Sequence, residues 1–313
     1  MKRFIYTLLL SLIGTCSIQA QKQLVFTPTW TAQAQFAGFY VADALGFFRD
    51  EGLDVIIKHP SASNTSLNRL KSGESHYVAL HLVSALDMID KGDELINVMQ
   101  CFQQSGEMIV SHKPLRDLKS LDRKRVGCFK SGISKLPIAL ARREKVNIEW
   151  IPFISHTNLY VSGAIDATLA MNYNEYYQLV QAGIKMTDNN VYRFCDHGYN
   201  VQEDGVYMTR EYYATHKDQA RRFAQASRKG WEWAAAHPKE ALDIVMHYVD
   251  MNHIATNRVM QKLMLEDVLR LQVDRESKKR EFRLRPDMVE KASHLMAEHQ
   301  MLSREIKYKE LSE

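Results

Sequence analysis

The stretch Thr29–Asp54, TWTAQAQFAGFYVADALGFFRDEGLD, decides the reading of this chain. Leu24 to Phe26 before it is a short apolar run, and Trp30 stands in a polar loop just beyond. A helix is expected from Ala34 to Phe48, because Phe36, Phe39, Tyr40, Ala44 and Phe47 recur at helical spacing. Gly46 and the turn Asp50-Glu51-Gly52 punctuate it, and Val55 to Ile57 reads as a second strand. Strand, loop, helix, turn, strand is a βαβ opening. In open α/β proteins the loop after such a first strand lies at the carboxyl edge of a parallel sheet, where ligands bind.

The alternation continues. Asn64 is placed to cap a helix from Thr65 to Ser72 ended by Gly73, Tyr77 to Leu80 is a third strand, and Val83 to Lys91 a helix stopped by Gly92. Ile96 to Gln103 and Met108 to Ser111 are further apolar strands. A new unit begins near Pro114, with strands at Arg125–Phe129, Glu149–Ile154, Ala167–Met171 and Arg193–Phe194, and helices such as Ile133–Glu144 and Glu175–Ala182. After a strand at Gly205–Thr209 the pattern is helical to the end. Two βα units joined near residues 111–114 and again near 204–207 make an α/β chain of two lobes. Residues 21–112 with 205–313 form the first and 113–204 the second, each a mostly parallel sheet flanked by helices, with the last helices folded back on the first lobe.

The 313 residues are 45% hydrophobic and 25% charged, ordinary for a folded protein rather than a disordered one. The 41 basic and 37 acidic side chains balance too evenly to suggest nucleic acid as a partner, and the basic run Lys278 to Arg285 reads as a solvated helix end. Residues 1–20 differ in kind: Lys2 and Arg3 precede an apolar run of about 10 residues, half the ~20 that a membrane span needs, and small residues lead to Ala20. That is the pattern of a secretory signal peptide cleaved after Ala20, so a periplasmic or cell-surface location is expected. Cys16 keeps lipid anchoring open as an alternative. Cys101, Cys128 and Cys195 are odd in number and lack metal-like spacing, which favours buried structural thiols.

No metal-binding, nucleophile-elbow or phosphate-loop motif occurs, so no catalytic residue, metal ligand or cofactor is expected. The chemistry lies in the loops at strand ends. Trp30, Gln35 and Phe36 follow the first strand, His81 and Ser84 the third, and Asn172, Tyr173 and Glu175 a strand of the second unit. A flat heteroaromatic ligand needs a ring to stack on and a few polar groups to orient it, and these residues offer both. Lys130, Ser131 and Gly132 open a helix whose amides suit an anionic group, or form a plain strand-to-helix turn. Glu203 and Asp204 at the second crossing are candidates to accept from ligand amines, or belong to a solvated turn with Gly205. His81 is equally a ligand contact or a satisfied core histidine.

The motifs Phe36-Ala-Gly-Phe-Tyr-Val-Ala42, Gly46-Phe-Phe48 and Gly52-Leu-Asp-Val55 resemble the opening of the thiamine-pyrimidine family. That family includes periplasmic substrate-binding proteins of ABC transporters for pyrimidine precursors of thiamine, sensor domains, and the fungal pyrimidine synthase. Weaker echoes at Leu70–Gly73, Lys124–Gly127, Gly163–Asp166 and Ala226–Trp231 extend the likeness over nearly the whole chain after residue 20. The resemblance implies a type II periplasmic binding protein fold with two crossovers, with Trp30 at the ring-stacking position. It also implies loops at Lys130–Gly132 and Asn172–Glu175 meeting the ligand.

Synthase members use a lysine that holds pyridoxal phosphate, a substrate histidine, and a cysteine-rich run. Here those positions carry Leu80, Ser84 and the cysteine-free Asn200–Asp204, so the resemblance favours a carrier over the synthase. The expectation is a monomeric solute-binding protein that takes a small nitrogen heterocycle to an ABC permease. A sensory module is the alternative of a different kind.

Overall fold

The computed structural model describes residues 23–153 and 157–313. The expected signal peptide, its expected cleavage after Ala20 and Cys16 lie outside the described residues. The first lobe begins with β1 (Leu24–Thr27), α1 (Ala37–Ala44), α2 (Phe47–Asp50), β2 (Val55–Ile57), α3 (Ser66–Lys71), β3 (Tyr77–His81), α4 (Leu82–Asp90) and β4 (Leu95–Gln100). The helix expected over residues 34–48 breaks where Gly46 takes φ 78°, a left-handed conformation that costs glycine little.

The second lobe holds β5 (Glu107–Ser111), β6 (Arg125–Phe129), α5 (Lys135–Arg143), β7 (Glu149–Phe153), α6 (Asn158–Val161), β8 (Ala167–Met171), α7 (Glu175–Gln181) and β9 (Val191–Arg193). The chain then returns through β10 (Asp204–Thr209) to α8 (Arg210–Ala236), α9 (Pro238–Met251), α10 (Arg258–Leu271) and α11 (Pro286–Glu298). No helix among the described residues is long and apolar enough to cross a membrane.

Two five-stranded sheets result, ordered β2-β1-β3-β10-β4 and β7-β6-β8-β5-β9. Each is mostly parallel, and the one antiparallel member of each is the strand that arrives from the other lobe. β10 runs antiparallel between β3 and β4, and β5 runs antiparallel between β8 and β9. This corrects the sequence reading of β5, which was assigned to the first lobe. The chain crosses over residues 101–106, before β5, because Met108, Ile109 and Val110 find their apolar partners on β8 and β9.

Two further expectations change. The last helices do not all return to the first lobe: α8 and α9 pack on α1, whereas α11 lies against both α4 and α5 and joins the lobes through one apolar core. The basic run 278–285 is not a helix end. It is an irregular segment whose Arg280 bridges Val273, while Arg285 pairs with Asp274 at 2.9 Å and with Asp287 at 2.9 Å. Cys101 and Cys128 are buried free thiols, and Cys195 is partly exposed. The ring of His197 stacks on Tyr192 with centroids 3.9 Å apart.

Candidate functional site

The carboxyl ends of β1, β3 and β8 meet the two crossings where the lobes join. There Gln35 donates through Nε2 to Asp204 Oδ2 at 2.6 Å and to the Tyr173 hydroxyl at 3.3 Å. Gln33 Nε2 donates to Gln35 Oε1 at 2.6 Å, and His81 Nε2 lies 3.2 Å from Asp204 Oδ1. Gln33, Gln35, His81 and Asp204 belong to the first lobe and Tyr173 to the second, so one buried network spans the cleft. Asp204 is 3% exposed and Glu203 5%, so both carboxyls are almost fully desolvated.

Glu203 serves the crossing itself. Its Oε1 accepts from Ser105 Oγ at 2.8 Å, Gly106 N at 2.7 Å and Glu107 N at 3.1 Å, while its Oε2 is buried without a partner. Glu107 Oε1 is likewise buried and unpartnered. Burial pushes the Glu203 carboxyl up to about 8 despite those donors, and lifts Glu107 well above its ordinary range, with Glu203 adding like charge. Burial also raises Asp204 and lowers His81, each opposed by the attraction of the other. Tyr173, fully buried, is raised first by desolvation and then by Asp204, Glu203, Glu175 and Glu107 around it.

The sequence-predicted residues therefore divide. Gln35, His81, Tyr173 and Asp204 form the network, and Glu203 and Glu175 flank it. Glu175 is self-contained: its Oε2 accepts from Met171 N at 3.0 Å and its Oε1 from Asn174 Nδ2 at 2.9 Å, which fixes the turn from β8 into α7. Asn172 is tied by its backbone N to Gly106 O at 2.8 Å, and its side-chain Oδ1 is buried without a partner. Trp30 is partly buried in the loop after β1.

Phe36 packs into the apolar cluster that holds Phe39 and Tyr40. It is buried in the first lobe, its ring 6.5 Å from Tyr40 and 5.9 Å from His59, because its helical neighbours turn that face inward. Ser84 and Gly132 meet each other across the lobes: a Cβ at Gly132 would lie 3.0 Å from Ser84 Cα. Lys130 and Ser131 are exposed, and the Lys130 amide is already bonded to Phe153 O at 2.8 Å. A short 3-10 turn, Gly132–Ser134, follows, so these three residues do not present a free helix N-terminus to an anion.

Glu107 and His59 escaped the sequence reading. Glu107 opens the apolar strand EMIVS, and a lone acid before four less polar residues was the available signal. His59 follows β2, where nothing in its sequence neighbourhood points to a partner 29 residues earlier.

The arrangement offers carboxyl, carboxamide and hydroxyl groups to a hydrogen-bonding ligand, and its members include no lysine or arginine to pair with an anion. Burial raises Glu107, Glu175, Glu203 and Asp204 and lowers His81, so these groups are held toward their neutral forms. Among the described residues no group of three or more His, Cys, Asp or Glu is placed to hold a metal.

Similar proteins share this architecture. The periplasmic aliphatic sulphonate binding protein SsuA of Escherichia coli superposes with a TM-score of 0.66 at 11% identity, covering 94% of this chain and 92% of that one. The ligand-binding component of an ABC-type import system from Staphylococcus aureus, solved with zinc bound, gives a TM-score of 0.66 at 13% identity over 94% of this chain and 97% of that one. At these identities the likeness shows the two-lobed periplasmic binding protein fold. In sequence, the riboflavin-binding protein RibY of Chloroflexus aurantiacus is 21% identical over 259 residues, 79% of this chain and 72% of that protein. The model of the family described as NMT1/THI5 like matches residues 33–241, well over half of the 313 residues, and the chain belongs to that family.

Proposed function

We propose that this protein is the exported solute-binding component of an ABC importer, and that it takes up a small nitrogen heterocycle of the thiamine-pyrimidine type between its lobes. The observation that carries the reading is the buried network in which Gln35, His81 and Asp204 of one lobe meet Tyr173 of the other. Contacts from both lobes to one ligand are what couple binding to closure. An amino-substituted ring donates N–H groups, and Asp204 and the Gln35 carboxamide accept. Trp30, partly buried in the loop after β1, supplies the stacking face. The protein delivers its ligand unchanged to a permease, acts as a monomer, and uses no cofactor.

The named neighbours bind a sulphonate or hold zinc; here the buried network includes no lysine or arginine for an anion, and among the described residues no group of three or more His, Cys, Asp or Glu is placed for a metal. The flavin of RibY is a nitrogen heterocycle and belongs in the same test.

Thermal denaturation against 4-aminopyrimidines, riboflavin and short alkanesulphonates is that test. A true ligand at 100 times its Kd stabilises the folded state by about 2.7 kcal/mol through mass action. We expect a rise in Tm with an aminopyrimidine and none with sulphonates. Stabilisation by a sulphonate alone overturns the reading.

A further inference from the structure

The loop that carries Trp30 is held at three backbone points by three separate elements. At its start Ser66 Oγ, from α3, donates to Pro28 O at 2.6 Å. At its end Gln261 Oε1, from α10, accepts from Ala34 N at 2.7 Å. Between them His59 Nδ1 lies 2.7 Å from Trp30 O.

His59 reaches that position because β2 pairs in parallel with β1, the pairing ending where Lys58 N donates to Phe26 O at 2.9 Å. Pro28 and Pro60 have no N–H, so neither can extend the ladder. The imidazole continues the connection by side chain. A carbonyl only accepts, so Nδ1 carries the proton, and Nε2 is then the acceptor for the Tyr40 hydroxyl 2.9 Å away. Burial holds His59 neutral, lowering it to about 4, which preserves this tautomer. Tyr40 in turn stacks on Tyr248 of α9, with centroids 4.2 Å apart, and the Tyr248 hydroxyl donates to Asp43.

We propose that His59 is a positioning residue for ligand binding: backed by Tyr40 and Tyr248, it fixes the Trp30 carbonyl and so presets the indole as a stacking face. The proposal rests on the reading of Trp30 as a ligand contact. A preset face binds with less ordering cost than a mobile one. Trp30 itself makes the contact, and His59 acts through it.

The test uses protein labelled with 5-fluorotryptophan, in which the Trp30 resonance is assigned by its loss in Trp30→Phe. In His59→Gln, whose amide reaches toward Tyr40 but not Trp30 O, the Trp30 resonance should broaden or shift while those of Trp150, Trp231 and Trp233 hold. His59→Asn places an N–H where Nδ1 was and should restore the wild-type signal. With 4-amino-5-hydroxymethyl-2-methylpyrimidine as probe, affinity should fall about tenfold in His59→Gln and recover in His59→Asn.

A merely structural role would affect both variants alike, and that outcome overturns the proposal. So does an unchanged Trp30 resonance in folded His59→Gln. If the wild-type protein does not bind the pyrimidine, the ligand reading fails, and the fluorine spectra alone decide the role of His59.

Discussion

Glu203 shows what single residues contribute here and what their neighbours in sequence conceal. Its position beside Asp204 suggested a ligand acceptor or an exposed turn, yet it lies 5% exposed and anchors residues 105–107. Its carboxyl moves from an ordinary 4.5 up to about 8, so between those values the folded state binds more protons than the unfolded one. Stability therefore falls as pH rises through that window. Urea denaturation at pH 5 and pH 8.5 should show a loss on the order of a few kcal/mol, and Glu203→Gln should flatten it. Equal pH dependence in the variant would refute the assignment. Glu107 was invisible at this scale: a charged residue at the start of a strand usually points to water, and only the pairing of β5 beside β8 buries it.

Among elements, the crossing of α1 and α8 is the closest. A Cβ at Gly230 would stand 2.0 Å from the Gly38 carbonyl oxygen, and one at Gly38 would stand 2.1 Å from Trp231 Cδ2. The helices touch backbone to backbone, so Gly230→Ala has no side chain to push aside. It should cost about 3 kcal/mol, at the upper end for overpacking, against about 1 kcal/mol for Gly73→Ala, where the strain comes only from φ 75° and the space is open. Urea midpoints of the two variants check the ranking, and equal losses would show that α1 and α8 can slide apart. The motif around Gly38 announced a small-residue helix face, and the helical run Lys217–Ala236 was equally plain. That Gly38 and Gly230 meet was not, since 192 residues separate them.

Across the whole molecule, α11 closes one side of the cleft. Val289, Ala292, Leu295 and Met296 join a core containing Leu82 and Leu86 of α4 and Leu136 and Leu140 of α5. Asp87 of α4 pairs with Lys135 of α5, and Lys135 Nζ donates to Met301 O at 2.7 Å. Burial raises the Asp87 carboxyl, but Lys135 and Lys91 outweigh it and hold the group below its usual value. With a core shared between lobes, calorimetry should show one cooperative unfolding transition. Two resolved transitions would show that the lobes fold separately. Met296→Ala removes a fully buried side chain from that core and should cost 2–5 kcal/mol, about the usual range for such truncations, by chemical denaturation. The remaining opening must then swing about the crossings, away from α11.

By itself the sequence determined that this is an α/β chain of two lobes with the opening motif of its family, because periodicity and turn residues are local records of which face is buried. It also placed Gln35, His81 and Tyr173 at strand ends and Asp204 at the second crossing, and the fold joins these four in one buried network. The tertiary structure alone decided which strand each lobe keeps, that Phe36 faces the core, that α11 bridges the lobes, and that Glu107 and Glu203 lie buried together. The physical reason is distance along the chain: exchanged strands and clustered carboxyls arise from pairings between segments far apart in sequence, and their electrostatics exist only once those segments exclude water from one another.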